Sequence, residues 1–400
     1  MPRFHTGPDS GSHERPIHIT LPESARGDKS AQFDSLHDMN QTPQNAIQSL
    51  LDEMTSSGSE RGVQVAVYQH GRLIVDAWSG VADSRTDRAV DGDTLFPVFS
   101  ISKGITSTIV HRLVERGLLS YDQRICEVWP EFAANGKEGI TLRQGLNHSS
   151  GIPNVPQRVD FAEIADWKKI CAAVADLTPI FPPGSRTEYH AITYGWIVGE
   201  PACRVTGRSF PQLIKEEISD LIGVDGLYIG IPEEEESRVA FLEEHAPAPP
   251  SADPLAPSPV PGWLGPLHSF MNRPDMHQAS IPGSSGIMNA RSIARHYAAL
   301  LPGGVDGIEL LPPARIREAT VKADLLDGQG NPATRGLGYQ VYDAYSLPGH
   351  EAKAFGHGAY GGAIGFADPG RGLGVGITKN LMNSGNTVER VFNTLAAALE

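Results

Sequence analysis

Cysteine is scarce: Cys126, Cys171 and Cys203 are the three in 400 residues. An odd number without paired metal-ligand spacing excludes a disulfide scaffold and reads as reduced thiols in a cytoplasmic protein. Positive charge is also short, with 33 lysines and arginines against 47 acidic residues and a net charge of −14. That argues against a nucleic-acid partner and against an anionic membrane surface. No apolar run is long enough to span a bilayer, and Met1 to Asp9 lack the apolar core of a signal peptide. The Gly-x-Ser-x-Gly elbow of α/β-hydrolases does not occur. Neither does a His-x-His pair, a His-Glu-x-x-His run or a phosphate-cradling glycine loop, so no metal and no cofactor is expected. What remains is an ordinary globular composition, 40% hydrophobic and 20% charged, in a chain long enough for two or three domains.

Residues 1–42 are polar and rich in Pro, Gly, Ser and His, and read as an N-terminal extension. An amphipathic helix is expected over 44–53. Gly62 to Tyr68 and Arg72 to Gly80, joined by Gln69-His70-Gly71, read as a β-hairpin. Helical patterns fill 118–279, broken by a proline-rich loop over 245–266 that can be neither helix nor central strand. A helix is expected over 286–301, then strands over 336–342, 352–356 and 372–378, then a terminal helix over 388–399. The expected fold class is α+β. One domain is an antiparallel sheet flanked by terminal helices, built from 43–97 and 280–400, and a mostly helical domain is inserted over 98–279. The junction of two such domains is a common place for a pocket.

Three stretches carry chemistry. In the first, apolar residues at 101, 105, 109, 110 and 113 mark a helix that Gly117 would close. Ser100 stands at its front and Lys103 one turn later, on the same face. A serine hydroxyl needs a base to become a nucleophile, and a lysine whose charge is disfavoured can be that base. The helix N-terminus also leaves free N–H groups beside the reacting atom. In the second, Tyr189-His190-Ala191 follows the Pro183-Gly184 turn, and a tyrosine beside a lysine can relay a proton to a leaving group. In the third, Phe355-Gly356-His357-Gly358-Ala359-Tyr360-Gly361-Gly362 places small residues where a strand backbone must approach a ligand. An N–H from that strand could join the Ser100 N–H as an oxyanion hole. His357 could carry a switchable positive charge.

In this order the three stretches resemble the serine β-lactamase and penicillin-binding-protein superfamily, closest to class C β-lactamases and family VIII carboxylesterases. The resemblance runs over about 45–400. It includes Leu146-Asn147-His148-Ser149-Ser150-Gly151-Ile152-Pro153, a segment that looks like a structural loop of the family. It implies Ser100 as nucleophile, Lys103 as its base, Tyr189 as the tyrosine of motif two and His357 as the basic residue of motif three. It also implies an oxyanion hole from the N–H groups of Ser100 and Tyr360. Two departures matter: Ala191 replaces the asparagine of Tyr-x-Asn, and His357-Gly358-Ala359 replaces Lys-Thr-Gly. The lost amide and hydroxyl would serve a β-lactam's amide and carboxylate, so the site should discriminate against such substrates.

The expected function is therefore a serine hydrolase working through an acyl-enzyme on small-molecule carboxylic esters, with weak or no β-lactamase activity. The same site could support an acyltransferase, a peptide-cyclising thioesterase, or a D-amino-acid amidase or peptidase. A non-catalytic sensor or scaffold would be expected to have lost Ser100, Lys103 or Tyr189, and all three are here. The long connection between Ile231 and Met276 ends in large apolar residues. Its Trp263 and Phe270 are expected to wall the acyl or alcohol site.

Overall fold

Thr42 caps helix α1 (Pro43–Ser56), its hydroxyl accepting the Asn45 N–H at 3.3 Å. The structure, a computed structural model, describes residues 42–400 apart from 158 and 247–252. The extension expected over 1–42, save Thr42, and the middle of the proline-rich loop lie outside the described residues.

The hairpin forms as the sequence predicts, from β1 (Gly62–Gln69) and β2 (Arg72–Asp83), with His70 and Gly71 both at positive φ in the turn. After β3 (Arg88–Ala89) come β4 (Phe96–Phe99) and α2 (Ile101–Glu115). The middle of the chain contributes α3 (Tyr194–Thr206), β5 (Leu227–Ile229) and β6 (Glu243–Glu244). The second half adds β7 (Gly286–Met288), α4 (Ala290–Ala298), β8 (Gln340–Tyr342), β9 (Ala354–Gly358), β10 (Ile364–Asp368), β11 (Leu373–Lys379), β12 (Leu381–Met382) and α5 (Thr387–Leu399).

Seven strands make one antiparallel sheet in the order β3-β2-β1-β11-β10-β9-β8, so its centre joins the two ends of the chain. Val63, Val65 and Val67 face one side with Ile47 and Leu51 of α1 and Val391 and Leu395 of α5. Ala66 and Tyr68 face the other, in the larger core. Burial on both faces follows from the alternation of side chains along a strand. Helix α4 lies so close to the second face that a Cβ at Gly376 would stand 2.3 Å from the Ala290 carbonyl oxygen. Glycine is required there because the helix backbone occupies the space.

Three expectations change. The helix expected over 286–301 begins as strand β7, which pairs with β4 and β5 in a second, three-stranded sheet. The strand expected over 336–342 keeps only 340–342, because Gly338, at φ +84°, turns the chain against Ser107 and Tyr194. Helix α2 has no polar face: Ile101 to His111 are all buried, polar residues included. Those polar groups are satisfied internally, as burial requires. Ser107 Oγ lies 2.6 Å from the Tyr194 hydroxyl, and Thr108 Oγ1 lies 2.7 Å from the Tyr339 hydroxyl and 2.9 Å from His296 Nε2. The sequence shows one buried apolar stripe on α2, whereas residues 101–111 are buried all round the helix.

Burial of so many histidines has a consequence for stability. Burial pushes His111 and His296 down to about 3 and His190 to about 4, and holds His148 and His357 well below the ordinary histidine range. The unfolded chain therefore binds protons below pH ~6.5 that the folded chain refuses, so stability present above that pH is lost as the pH falls. Each such histidine withdraws up to about 1.4 kcal/mol per pH unit in that window. The melting temperature should drop steeply between pH 7.5 and pH 5. A flat melting temperature across that range would show that these histidines are not held neutral.

Candidate active site

Ser100 sits where β4 breaks into α2. Phe99, just before it, takes the left-handed φ of +43°, unusual for a bulky residue and a form of strain that concentrates at functional sites. Two contacts hold the bend. Ser102 Oγ donates to the Phe99 carbonyl, and the Gly286 N–H of β7 donates to the same Oγ at 2.8 Å. Ser100 is the N-cap residue of α2, and its side chain makes no capping bond. Gly117 adopts φ +71° just past the helix end, as expected.

The Ser100 hydroxyl oxygen has two close partners: Lys103 Nζ at 3.0 Å and the Tyr189 hydroxyl at 2.9 Å. Lys103 is fully buried, and its Nζ also donates to the carbonyl oxygens of Ala191 and Gly283, each at 2.6 Å. Close backbone approach makes this cradle. A Cβ at Gly195 would lie 2.2 Å from the Gly283 nitrogen, so only glycine lets segment 282–283 reach the lysine.

Tyr189 is positioned by the Leu146–Pro153 segment that looks like a family loop. Thr187 Oγ1 donates to the Asn147 carbonyl at 3.0 Å, Glu188 N–H to the His148 carbonyl at 3.0 Å, and His190 N–H to His148 Nδ1 at 3.1 Å. His148 has φ +62°, and its ring stacks on Tyr194 at 4.7 Å and lies 5.1 Å from the Tyr189 ring. His190, inside motif two, turns away from Ser100 and meets Ser150 Oγ at 2.9 Å.

His357 reaches the site without the charge expected of it. It is buried, and desolvation, with Lys103 and Arg335 close by, holds its pKa well below the ordinary range. Its Nδ1 lies 2.6 Å from the Gly358 carbonyl oxygen and so carries the proton, which leaves Nε2 as an acceptor in the neutral ring. Burial thus works against the switchable positive charge expected of it. The cation that sequence reasoning missed is Arg335, whose guanidinium lies 4.5 Å from the Tyr189 ring centroid. Arg335 belongs to no motif. Its one sequence signal is its place before Gly336-Leu337-Gly338-Tyr339, a turn that points towards the site.

Tyr360 lies two residues past the end of β9, and its ring meets Phe99 edge-on at 6.0 Å. Its hydroxyl donates to Glu244 at 3.1 Å. Asn383 Nδ2 donates to the same carboxylate at 2.9 Å, and His268 Nδ1 lies 3.0 Å from its other oxygen. Trp263 and Phe270 both pack on Phe161, at 5.6 and 5.8 Å between ring centroids. Phe270 is buried in the core, so it is a packing residue and offers substrate almost no surface; Trp263 keeps partial exposure. This segment is tied to Tyr360 through His268 and Glu244. Among the described residues no cluster of His, Cys, Asp or Glu could hold a metal ion, and no helix is long and apolar enough to cross a membrane.

A sheet joined from both chain ends, with a serine at the head of a buried helix and a buried lysine one turn on, defines a hydrolase of the β-lactamase fold. Comparison with known proteins gives the family. The beta-lactamase family model matches residues 47–399, and the chain belongs to that family. It is 31% identical over 346 residues to the esterase/beta-lactamase LipL of Mycobacterium tuberculosis, covering 81% of this chain and 78% of LipL. It is 28% identical over 371 residues to penicillin-binding protein 4 of Amycolatopsis lactamdurans, covering 87% of each. The crystal structure of a family VIII carboxylesterase is 32% identical, with a TM-score of 0.79 over 89% of this chain and 97% of that one.

Proposed function

We propose that this hydrolase is a carboxylesterase that works through an acyl-enzyme on Ser100 and hydrolyses β-lactams poorly or not at all. The observation that carries the reading is the convergence of Lys103 Nζ and the Tyr189 hydroxyl on one serine oxygen, at 3.0 and 2.9 Å. The Lys103–Tyr189 pair takes the Ser100 proton as Oγ bonds to the ester carbonyl carbon. The oxyanion that forms rests on the N–H groups of Ser100 and Tyr360. Its collapse breaks the bond to the leaving alkoxide, which takes a proton relayed through Tyr189. Water then repeats the sequence on the acyl-enzyme and releases the acid.

The case against β-lactams rests on Ala191 and Gly358, which bring neither amide nor hydroxyl. A Cβ at Gly358 would meet nothing closer than the Tyr342 hydroxyl at 3.6 Å. Packing therefore does not force a glycine there, and the missing hydroxyl is a property of the substrate site. A site built to hydrogen-bond a substrate group strongly rejects a substrate lacking it; here the protein lacks the partner instead, and preference for β-lactams is lost. With p-nitrophenyl esters of rising chain length run beside a chromogenic cephalosporin, kcat/KM for the best ester should exceed that for the cephalosporin by at least about a hundredfold. Equal values would show that those two groups were never decisive.

A further inference from the structure

Tyr189 stands between two cations. Lys103 Nζ lies 4.8 Å from its ring centroid and Arg335 Cζ lies 4.5 Å from it. Other titratable groups around the ring include the Ser100 hydroxyl, His148 at 5.1 Å, His357 at 6.1 Å and, behind His148, Tyr194. Both histidines are neutral through burial, and burial also pushes the Tyr194 hydroxyl up, so none of these three adds charge. His190, next along the chain, is held neutral as well. The Glu188 carboxylate, on the other side, pairs with Arg186 at 2.9 Å.

The hydrogen bonds at Ser100 fit two placements of one proton. In the first, Lys103 is a neutral amine: two N–H groups serve the Ala191 and Gly283 carbonyls, its lone pair accepts from Ser100, and the Tyr189 phenol donates to Ser100 Oγ. In the second, Lys103 is an ammonium donating to all three oxygens, and the Ser100 hydroxyl donates to a Tyr189 phenolate. The two differ only in whether the proton rests on oxygen or nitrogen. Two carbonyl oxygens at 2.6 Å favour the ammonium, and a cation over the ring favours the phenolate.

We propose that Arg335 sets this balance, holding Tyr189 as the phenolate that takes the Ser100 proton. The proposal rests on the reading of Ser100 as nucleophile with the Lys103–Tyr189 pair as its base. In the acylation step the proton moves from Ser100 Oγ to the Tyr189 oxygen as Oγ bonds to the ester carbon. On collapse the Tyr189 phenol gives that proton to the leaving alkoxide and is a phenolate again. Lys103 and Arg335 keep their protons throughout. A guanidinium suits the task because it stays charged at every working pH.

The fold holds this arginine in place. The Ala323 N–H donates to the Arg335 carbonyl at 2.9 Å, and the turn after it is pinned to α2, with His111 Nε2 3.0 Å from the Leu337 carbonyl oxygen. Arg335 acts through Tyr189 and is a positioning residue.

The test is a pH titration of the full chain carrying ¹³C at the ζ carbon of its ten tyrosines, with Tyr189→Phe assigning the resonance. Tyr189 should titrate at least about one pH unit higher in Arg335→Met than in the wild type, and Arg335→Lys should recover most of the difference. Removing the cation destabilises the phenolate, so the acid limb of the kcat/KM profile should move to higher pH by the same amount. His357→Gln should move the Tyr189 resonance by no more than a few tenths of a unit. Unchanged melting curves for the Arg335 variants keep the comparison sound. The proposal is overturned if Arg335→Met titrates like the wild type, or if His357→Gln shifts Tyr189 as far as Arg335→Met does. A fluorophosphonate that labels a serine other than Ser100 would instead sink the underlying functional reading, whatever Tyr189 does.

Discussion

Ser100→Ala should lower kcat/KM for p-nitrophenyl esters by about three orders of magnitude or more while leaving the melting temperature nearly unchanged. Removing the nucleophile of an interdependent group removes almost all that the group contributes, because Lys103 and Tyr189 then lack the Ser100 hydroxyl on which they act. Stability should hold because the Ser100 side chain caps no helix N–H, so deleting it leaves no backbone donor stranded. The strained Phe99 bend is kept by Ser102 and Gly286, not by Ser100. A fluorophosphonate probe should label Ser100 in the wild type and nothing in the variant. A label mapped to another serine, or an alanine variant with most of its turnover, would end the assignment.

How much of this site the sequence reveals depends on distance along the chain. Ser100 and Lys103 are one helical turn apart, so their contact follows from helix geometry alone. Tyr189 is brought to the same oxygen by tertiary structure, and no spacing rule predicts that; only the order of motifs, through family resemblance, points to it. The hairpin of β1 and β2 was readable from its β-branched alternation and its turn. Strand β7 was not, because three residues opening on glycine cannot be told from the start of the helix that follows. The charge state of His357 is hidden for the same reason. Its charge depends on burial and on Arg335, and neither is written in the residues beside it. Phe270 looked available for substrate because it sits near a proline-rich loop, but the Phe161 ring that covers it lies far off in sequence.

Lys103→Met should abolish activity to a similar degree as Ser100→Ala, and the variant separates the lysine's chemistry from its bulk. Methionine nearly fills the volume of the buried side chain, so collapse of the cavity is not the main effect. What disappears is the nitrogen that meets Ser100 Oγ, Ala191 O and Gly283 O. Two buried carbonyls lose a donor, and the melting temperature should fall by several degrees, reflecting a cost of about 1–3 kcal/mol for each group left unsatisfied. Activity should fall much further than that cost explains, by about a thousandfold, because the Lys103–Tyr189 pair that takes the Ser100 proton is broken and a positioned base is worth about 10²–10⁴. The pH profile distinguishes lost stability from lost chemistry. In the wild type kcat/KM should rise with pH along an acid limb that belongs to the Lys103–Tyr189 pair as a unit. With one member gone no such pair remains, so the residual activity should follow hydroxide or be flat, with no limb at the wild-type position. Fluorophosphonate labelling of Ser100 should slow in parallel, since acylation needs the same proton removed. A methionine variant that keeps near-normal turnover, or keeps the wild-type limb, would show that the base lies elsewhere.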